Sequence, residues 1–161
     1  MDTFKLNDTV LSTDESSAVL EAGIPHIQLS HRDFNLWWNE MSKQMANEGS
    51  ICGLYSNFTT DSILYPACTC SSVSNAPDFK IRFKRWEYQL SPEAYITLVE
   101  EQSATYCVFN VIEELEKSIA PMILGQAFMK AFTIQFNADD GYIGITSPSD
   151  TSLITDHLWI H

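Results

Sequence analysis

The sequence predicts a mainly β fold with two or three short helices, and three observations carry that expectation. Ile81 and Phe83 alternate with charged residues at a period of two, the pattern of a half-buried strand. Phe132 to Phe136 and Tyr142 to Ile145 flank Asp139-Asp140-Gly141, a natural tight turn, and so read as a hairpin. Helical spacing is sustained in one stretch, where Phe34, Trp37/Trp38, Met41 and Met45 recur every three to four residues. At 161 residues the chain is long enough to bury a substantial core. No linker rich in Gly, Ser or Pro divides it.

Taken in order, Phe4-Lys5-Leu6 and Thr9-Val10-Leu11 flank Asn7-Asp8 and read as a small hairpin. Ser17 to Leu20 and Ile27-Gln28-Leu29 are short apolar strands. Ser30 then offers a helix N-cap, and Asp33 sits where the positive end of a helix favours an acid. The helix from Ser30 to Met45 turns its Trp and Met stripe inward. Residues 46–66 are polar, with Gly49 and Gly53, and read as a loop with at most one strand. Lys80 to Trp86 is the alternating strand. Tyr88 to Leu90, a turn begun by Ser91-Pro92, and Tyr95 to Leu98 follow. Tyr106 to Val111 is strand-like, and Ile112 to Ile119 is a second, short and acidic helix. The closing hairpin comes last, with a tail over 147–161 that ends in apolar Leu158-Trp159-Ile160.

Composition narrows the function. Nine basic against twenty-one acidic side chains give a net charge of −12. Phosphate binding needs clustered Lys and Arg, so nucleic acid and anionic membrane surfaces are not expected partners. No apolar run is long enough to span a bilayer, so membrane insertion is not expected. The acidity fits solubility, or work in an acidic compartment where many carboxylates are neutral. The first residues show no basic segment followed by an apolar one, so no leader peptide is read there. That leaves a cytosolic chain or a piece of a longer precursor.

The cysteines are Cys52, Cys68, Cys70 and Cys107, an even count that allows three disulfide pairings. A zinc site wants two close cysteine pairs, or cysteine with histidine at ligand spacing. Cys68-Thr69-Cys70 and the distant His26, His31, His157 and His161 supply neither, so no metal or other cofactor is expected. Asn7-Asp8-Thr9 and Asn57-Phe58-Thr59 are glycosylation acceptor triplets at Asn7 and Asn57. With the cysteines they favour a lumenal or extracellular protein of the secretory pathway.

In this order, the segments resemble the C-terminal lobe of the pepsin-like aspartic peptidases over roughly residues 3–146. The strand entering that family's catalytic loop resembles Ala18-Val19-Leu20, followed here by Glu21-Ala22-Gly23. The helix after the loop resembles the segment from Ser30 to Met45. A half-cystine, a proline seven residues on and an alternating strand resemble Cys70, Pro77 and Phe79 to Phe83. Leu90 to Ile96 resembles an apolar element closed by Tyr-apolar, and Cys107 the second half-cystine. Ile123-Leu124-Gly125 resembles the apolar-apolar-Gly of the ψ-shaped loop, with Gln126 where an acid often follows. Phe136-Asn137 to Ile143-Gly144-Ile145 resembles the closing hairpin. The resemblance implies a single lobe of the acid protease fold over 1–146, followed by the tail. It also implies a Cys70–Cys107 disulfide, which leaves Cys52 and Cys68 to pair by exclusion. Both Gly23 and Gly125 would let chain segments pass closely in the loop.

That same resemblance puts the chemistry in doubt. Aspartic proteolysis uses two carboxylates sharing a proton, one from each lobe, and this chain is one lobe. Glu21 stands where the family has its catalytic Asp, and the added methylene moves the carboxylate by ~1.5 Å, where displacements near 1 Å cost on the order of 10²-fold. Ala22 replaces a hydroxyl residue that braces the loops. Ile24 and Pro25 replace small hydroxyl residues, and Pro25 also removes an N–H. His26, beside the loop, is a candidate acid or base but more simply a satisfied strand histidine. The expected function is therefore an inactive aspartic-peptidase-like lobe serving as a structural or binding subunit. The alternative is half of an active endopeptidase, completed by a separate N-lobe or by self-pairing. Either way a protein partner is expected, an N-terminal protease lobe or a large complex, with Trp159 as a plausible anchor.

Overall fold

The computed structural model describes residues 3–12, 18–56, 58, 61–83, 86–115, 122–147 and 155–156. Strands dominate them. The hairpin β1 (Thr3–Leu6) and β2 (Thr9–Ser12) turns at Asn7, whose φ of 49° lies in the left-handed region that Asn tolerates. Strands β3 (Val19–Leu20) and β4 (Ile27–Leu29) bracket the altered loop, and α1 (His31–Asn47) follows. Then come β5 (Cys52–Tyr55), β6 (Tyr65–Thr69), β7 (Phe79–Phe83) and β8 (Trp86–Leu90). A four-residue helix α2 (Pro92–Tyr95) leads into β9 (Ile96–Glu101), β10 (Ala104–Phe109) and β11 (Val111–Glu113). After β12 (Met122–Leu124) come α3 (Gln126–Met129), β13 (Thr133–Asn137), β14 (Tyr142–Thr146) and β15 (Thr155–Asp156).

Four small sheets share the core. Their orders are β2-β1-β7-β8, β5-β6-β10-β9, β11-β4-β12-β3 and β13-β14-β15. Helix α1 forms because its apolar residues fall on one stripe and its start is capped: the Ser30 side chain accepts from the Asp33 N–H. Phe34, Trp37, Met41 and Met45 are buried on that stripe. Trp37 meets Phe79 and Phe109 at ring separations of 6.1 and 5.7 Å, and Phe109 stacks on Tyr95. A second cluster, Tyr65, Ala67, Val108 and Ile112, lies apart from this core.

Several expected elements differ. The helix expected over Ile112 to Ile119 begins instead as a strand: Val111 pairs with Ile27 and Ile112 with Gln28 in parallel. Adjacent β-branched Val111 and Ile112 suit a strand buried on both faces better than a helix with exposed Glu residues. Residues 116–119 lie outside the described part. Trp86 does not extend the alternating strand. It opens the return strand opposite Phe83, and directly paired residues point to the same face. That explains how an apolar residue three positions on remains inward. Residues 46–66 hold the end of α1, β5 and the start of β6. Tyr95 closes α2, whose start Pro92 favours, so the next strand begins at Ile96.

Candidate functional site

The site grows out of one topological feature. β12 lies between β3 and β4, parallel to β3 (Leu124↔Leu20) and antiparallel to β4 (Leu124↔Ile27). Two chain segments therefore meet at their ends: Glu21 to His26 from one side, Gly125 to Ala127 from the other. Backbone hydrogen bonds lock them together. The Glu21 N–H donates to the Leu124 carbonyl, the Gln126 N–H to that of Ile24 at 2.8 Å, and the Ala127 N–H to that of Pro25.

Gly125 is buried at the closest point of this crossing. A Cβ there would overlap the carbonyl oxygens of Ile24 and His26 and lie 3.0 Å from the Ile24 carbonyl carbon. Gly23 is different. A Cβ there would meet only the Glu21 carboxylate, at 3.2 Å, which is the far end of a flexible side chain. The close passage expected of both glycines falls on Gly125 alone.

Glu21, Ala22, Gly23 and Pro25 are exposed, and Ile24 is half-buried. The Glu21 carboxylate accepts one hydrogen bond in this loop, from the Gly23 N–H at 3.1 Å. Across 18–27 and 122–128 it is the only carboxylate in the sequence. Ala22 has no hydroxyl to brace the crossing. In its place the Gln126 side-chain amide donates to the Ala22 carbonyl at 2.9 Å and ties the two segments directly. An amide at 126 was visible in the sequence, but its reach across the crossing was not.

His26 is almost fully buried, beneath the loop rather than open to it. Its Nε2 lies 3.1 Å from the Gln28 side-chain nitrogen. An amide N–H can only donate, so Nε2 accepts and Nδ1 carries the proton. That Nδ1 finds no hydrogen-bond partner among the described residues. The ring packs edge-on against Tyr65. Burial pushes the imidazole below its ordinary pKa, and the negative charge of Asp61 opposes the shift without cancelling it.

Other expected residues lie elsewhere. Cys70 is bonded to Cys107 and Cys52 to Cys68, both away from the loop. Asn7 sits exposed in the first hairpin turn, where its side-chain oxygen accepts from the Asp78 N–H. Asn57 and Leu158-Trp159-Ile160 lie outside the described residues. Among those described, no group of three or more His, Cys, Asp and Glu has metal-ligating geometry, and no helix is long and apolar enough to cross a membrane.

Residues 1–147 match the eukaryotic aspartyl protease family. The chain belongs to that family. Its fold is a single pepsin-like lobe, mainly β with three α-helices among the described residues. Among solved structures it is similar to conglutin gamma, described as a unique basic 7S globulin from lupine seeds. The two share 14% identity with a TM-score of 0.71, over 91% of this chain and 36% of that one. At that identity the likeness speaks for the fold. The chain spans little more than a third of that relative's length.

Proposed function

We propose that this chain is a non-catalytic aspartic-protease-like lobe that serves as a binding or structural subunit of a larger assembly. One observation carries the reading. The loop framework is kept, but it presents a single exposed carboxylate on a lengthened side chain, and Gln126 spans the crossing to Ala22. The shared-proton mechanism takes one Asp from each lobe; this lobe's carboxylate stands on a side chain one methylene longer, and Ala22, Ile24 and Pro25 give it no neighbouring hydroxyl. Two disulfides fit an oxidising, lumenal or extracellular setting. The partner we favour is a second polypeptide of the N-terminal-lobe kind, with Trp159 as an anchor. The competing reading, half of an active endopeptidase, draws on the same retained framework.

Cleavage of an unfolded protein at acid pH, together with binding of a statine-type inhibitor, separates them. The purified chain is expected to show neither. Glu21→Asp is expected to remain silent, because Ala22, Ile24 and Pro25 are unchanged. Turnover by the unmodified chain that disappears in Glu21→Gln would overturn the non-catalytic reading.

A further inference from the structure

We infer that the two disulfides form one thiol-exchange site: an external thiol that opens either bond yields a new Cys68–Cys107 disulfide and free thiols at Cys52 and Cys70. Sheet register sets this up. Cys68 on β6 lies directly opposite Cys52 on β5 and Cys107 on β10. Directly opposite residues share a face, so these three side chains point the same way. Cys70 follows two positions after Cys68, on that same face, and its N–H carries the ladder on to the Thr105 carbonyl at 3.1 Å. All four cysteines lie in or against the main core cluster. Opposite residues have Cα atoms about 4.5–5.5 Å apart, within the range a disulfide spans. A Cys68–Cys107 bond therefore needs no shift of either strand.

Burial gives the exchange its direction. Cys68 and Cys107 are fully buried, whereas Cys52 and Cys70 are half-buried. Each disulfide thus has one sulfur within reach of solvent and one in the core. The thiolate of a small monothiol, or of a dithiol reductase, attacks Cys52 Sγ. The Cys52–Cys68 bond breaks, a mixed disulfide forms at Cys52, and Cys68 leaves as a thiolate. Apolar surroundings disfavour that charge. Cys68 then attacks Cys107 Sγ, the Cys70–Cys107 bond breaks, and the charge departs with Cys70, which takes up a proton from water. A second external thiol resolves the mixed disulfide. Two external thiols become one disulfide, and the chain exchanges two disulfides for one disulfide and two thiols. Entry at Cys70 reaches the same end, with Cys107 attacking Cys68 Sγ and expelling Cys52. The new bond closes a span only two positions longer than Cys70–Cys107, so chain entropy neither drives nor opposes the step. The product keeps β6 tied to β10 and unties β5, the outer strand of its sheet.

Graded reduction of the full chain with dithiothreitol tests this. Samples are trapped with excess N-ethylmaleimide, then fully reduced and alkylated with iodoacetamide. Tandem mass spectrometry, with fragmentation between Cys68 and Cys70, reads the label on each cysteine. The one-disulfide intermediate is expected to carry maleimide on Cys52 and Cys70 and acetamide on Cys68 and Cys107. Maleimide on Cys52 and Cys68 together, or on Cys70 and Cys107 together, would overturn the exchange. So would loss of both disulfides with no one-disulfide intermediate at any reductant level. Cys52→Ser/Cys70→Ser gives an independent reading. In the folded variant Cys68 and Cys107 should join, leaving no titratable thiol after denaturation. Two titratable thiols in a folded variant would overturn the proposal. If the variant does not fold, the reduction series on the unmodified chain decides.

Discussion

At the scale of single residues, the two loop glycines look alike in sequence, yet the structure separates them. Gly125 faces the backbone carbonyls of Ile24, which accepts from the Gln126 N–H, and of His26, which follows the Pro25 carbonyl that accepts from the Ala127 N–H, so the segment cannot give way without disturbing both bonds. Gly23 faces only the end of its neighbour's carboxylate. Gly125→Ala should therefore cost roughly 3 kcal/mol, at the upper end of ordinary overpacking. Gly23→Ala should stay within about 0.5 kcal/mol. Urea denaturation of the two variants measures the contrast, and equal losses would contradict the account of the crossing. A sequence shows which residue lacks a Cβ. It does not show what stands beside the missing atom, because those neighbours, Ile24 and His26, are about a hundred positions away along the chain. The Gln126 to Ala22 bridge was hidden for the same reason.

At the scale of elements, local pattern sufficed where one face alone is buried, as in α1 and the closing hairpin. It failed where strands are buried on both faces. Val111-Ile112 carries no alternation, since β11 lies beside β4 with the core on one side and the second cluster on the other. Tyr65 to Thr69 is likewise buried from Tyr65 to Cys68 and shows no alternation, and its first two residues fall at the end of the polar stretch read as loop. The disulfides show another limit. In register, Cys68 lies directly opposite Cys52 on one neighbouring strand and Cys107 on the other. Three cysteines in one row leave more than one partner open, and the sheet geometry alone does not choose. The observed bonds close spans of 16 and 37 residues. By restriction of the denatured chain, Cys70→Ala/Cys107→Ala should cost about 4 kcal/mol and Cys52→Ala/Cys68→Ala about 3. The ordering, read by urea denaturation of the two double variants, is the test. A larger loss from the shorter span would show that strain or residual structure outweighs chain entropy.

At the scale of the whole molecule, two buried titratable groups limit the pH range of stability from opposite sides. His26 has its pKa lowered by burial, with Asp61 opposing. The unfolded chain then binds this proton more readily than the folded one. The contribution is complete above the ordinary value near 6.5 and is lost as pH falls through it toward the lowered one. Tyr95 is fully buried, stacks on Phe109, and donates its hydroxyl to the Pro77 carbonyl. Burial raises its pKa well above 10.0, and the charges of Asp78 and Glu93 add to the effect. Here the unfolded chain ionises first. Stability is complete below about 10 and lost as pH rises beyond it. Relief of the −12 net charge on acidification acts in the opposite sense to the loss at His26. The melting temperature should thus be flat between about pH 7 and 9.5 and fall on both sides. His26→Gln should flatten the acid limb between pH 7 and 5. Tyr95→Phe should flatten the alkaline limb while costing about 1 kcal/mol at neutral pH, because the Pro77 carbonyl loses its donor. An unmodified chain more stable at pH 5 than at pH 7 would show instead that relief of the net charge outweighs the loss at His26. It would also favour a working life in an acidic compartment.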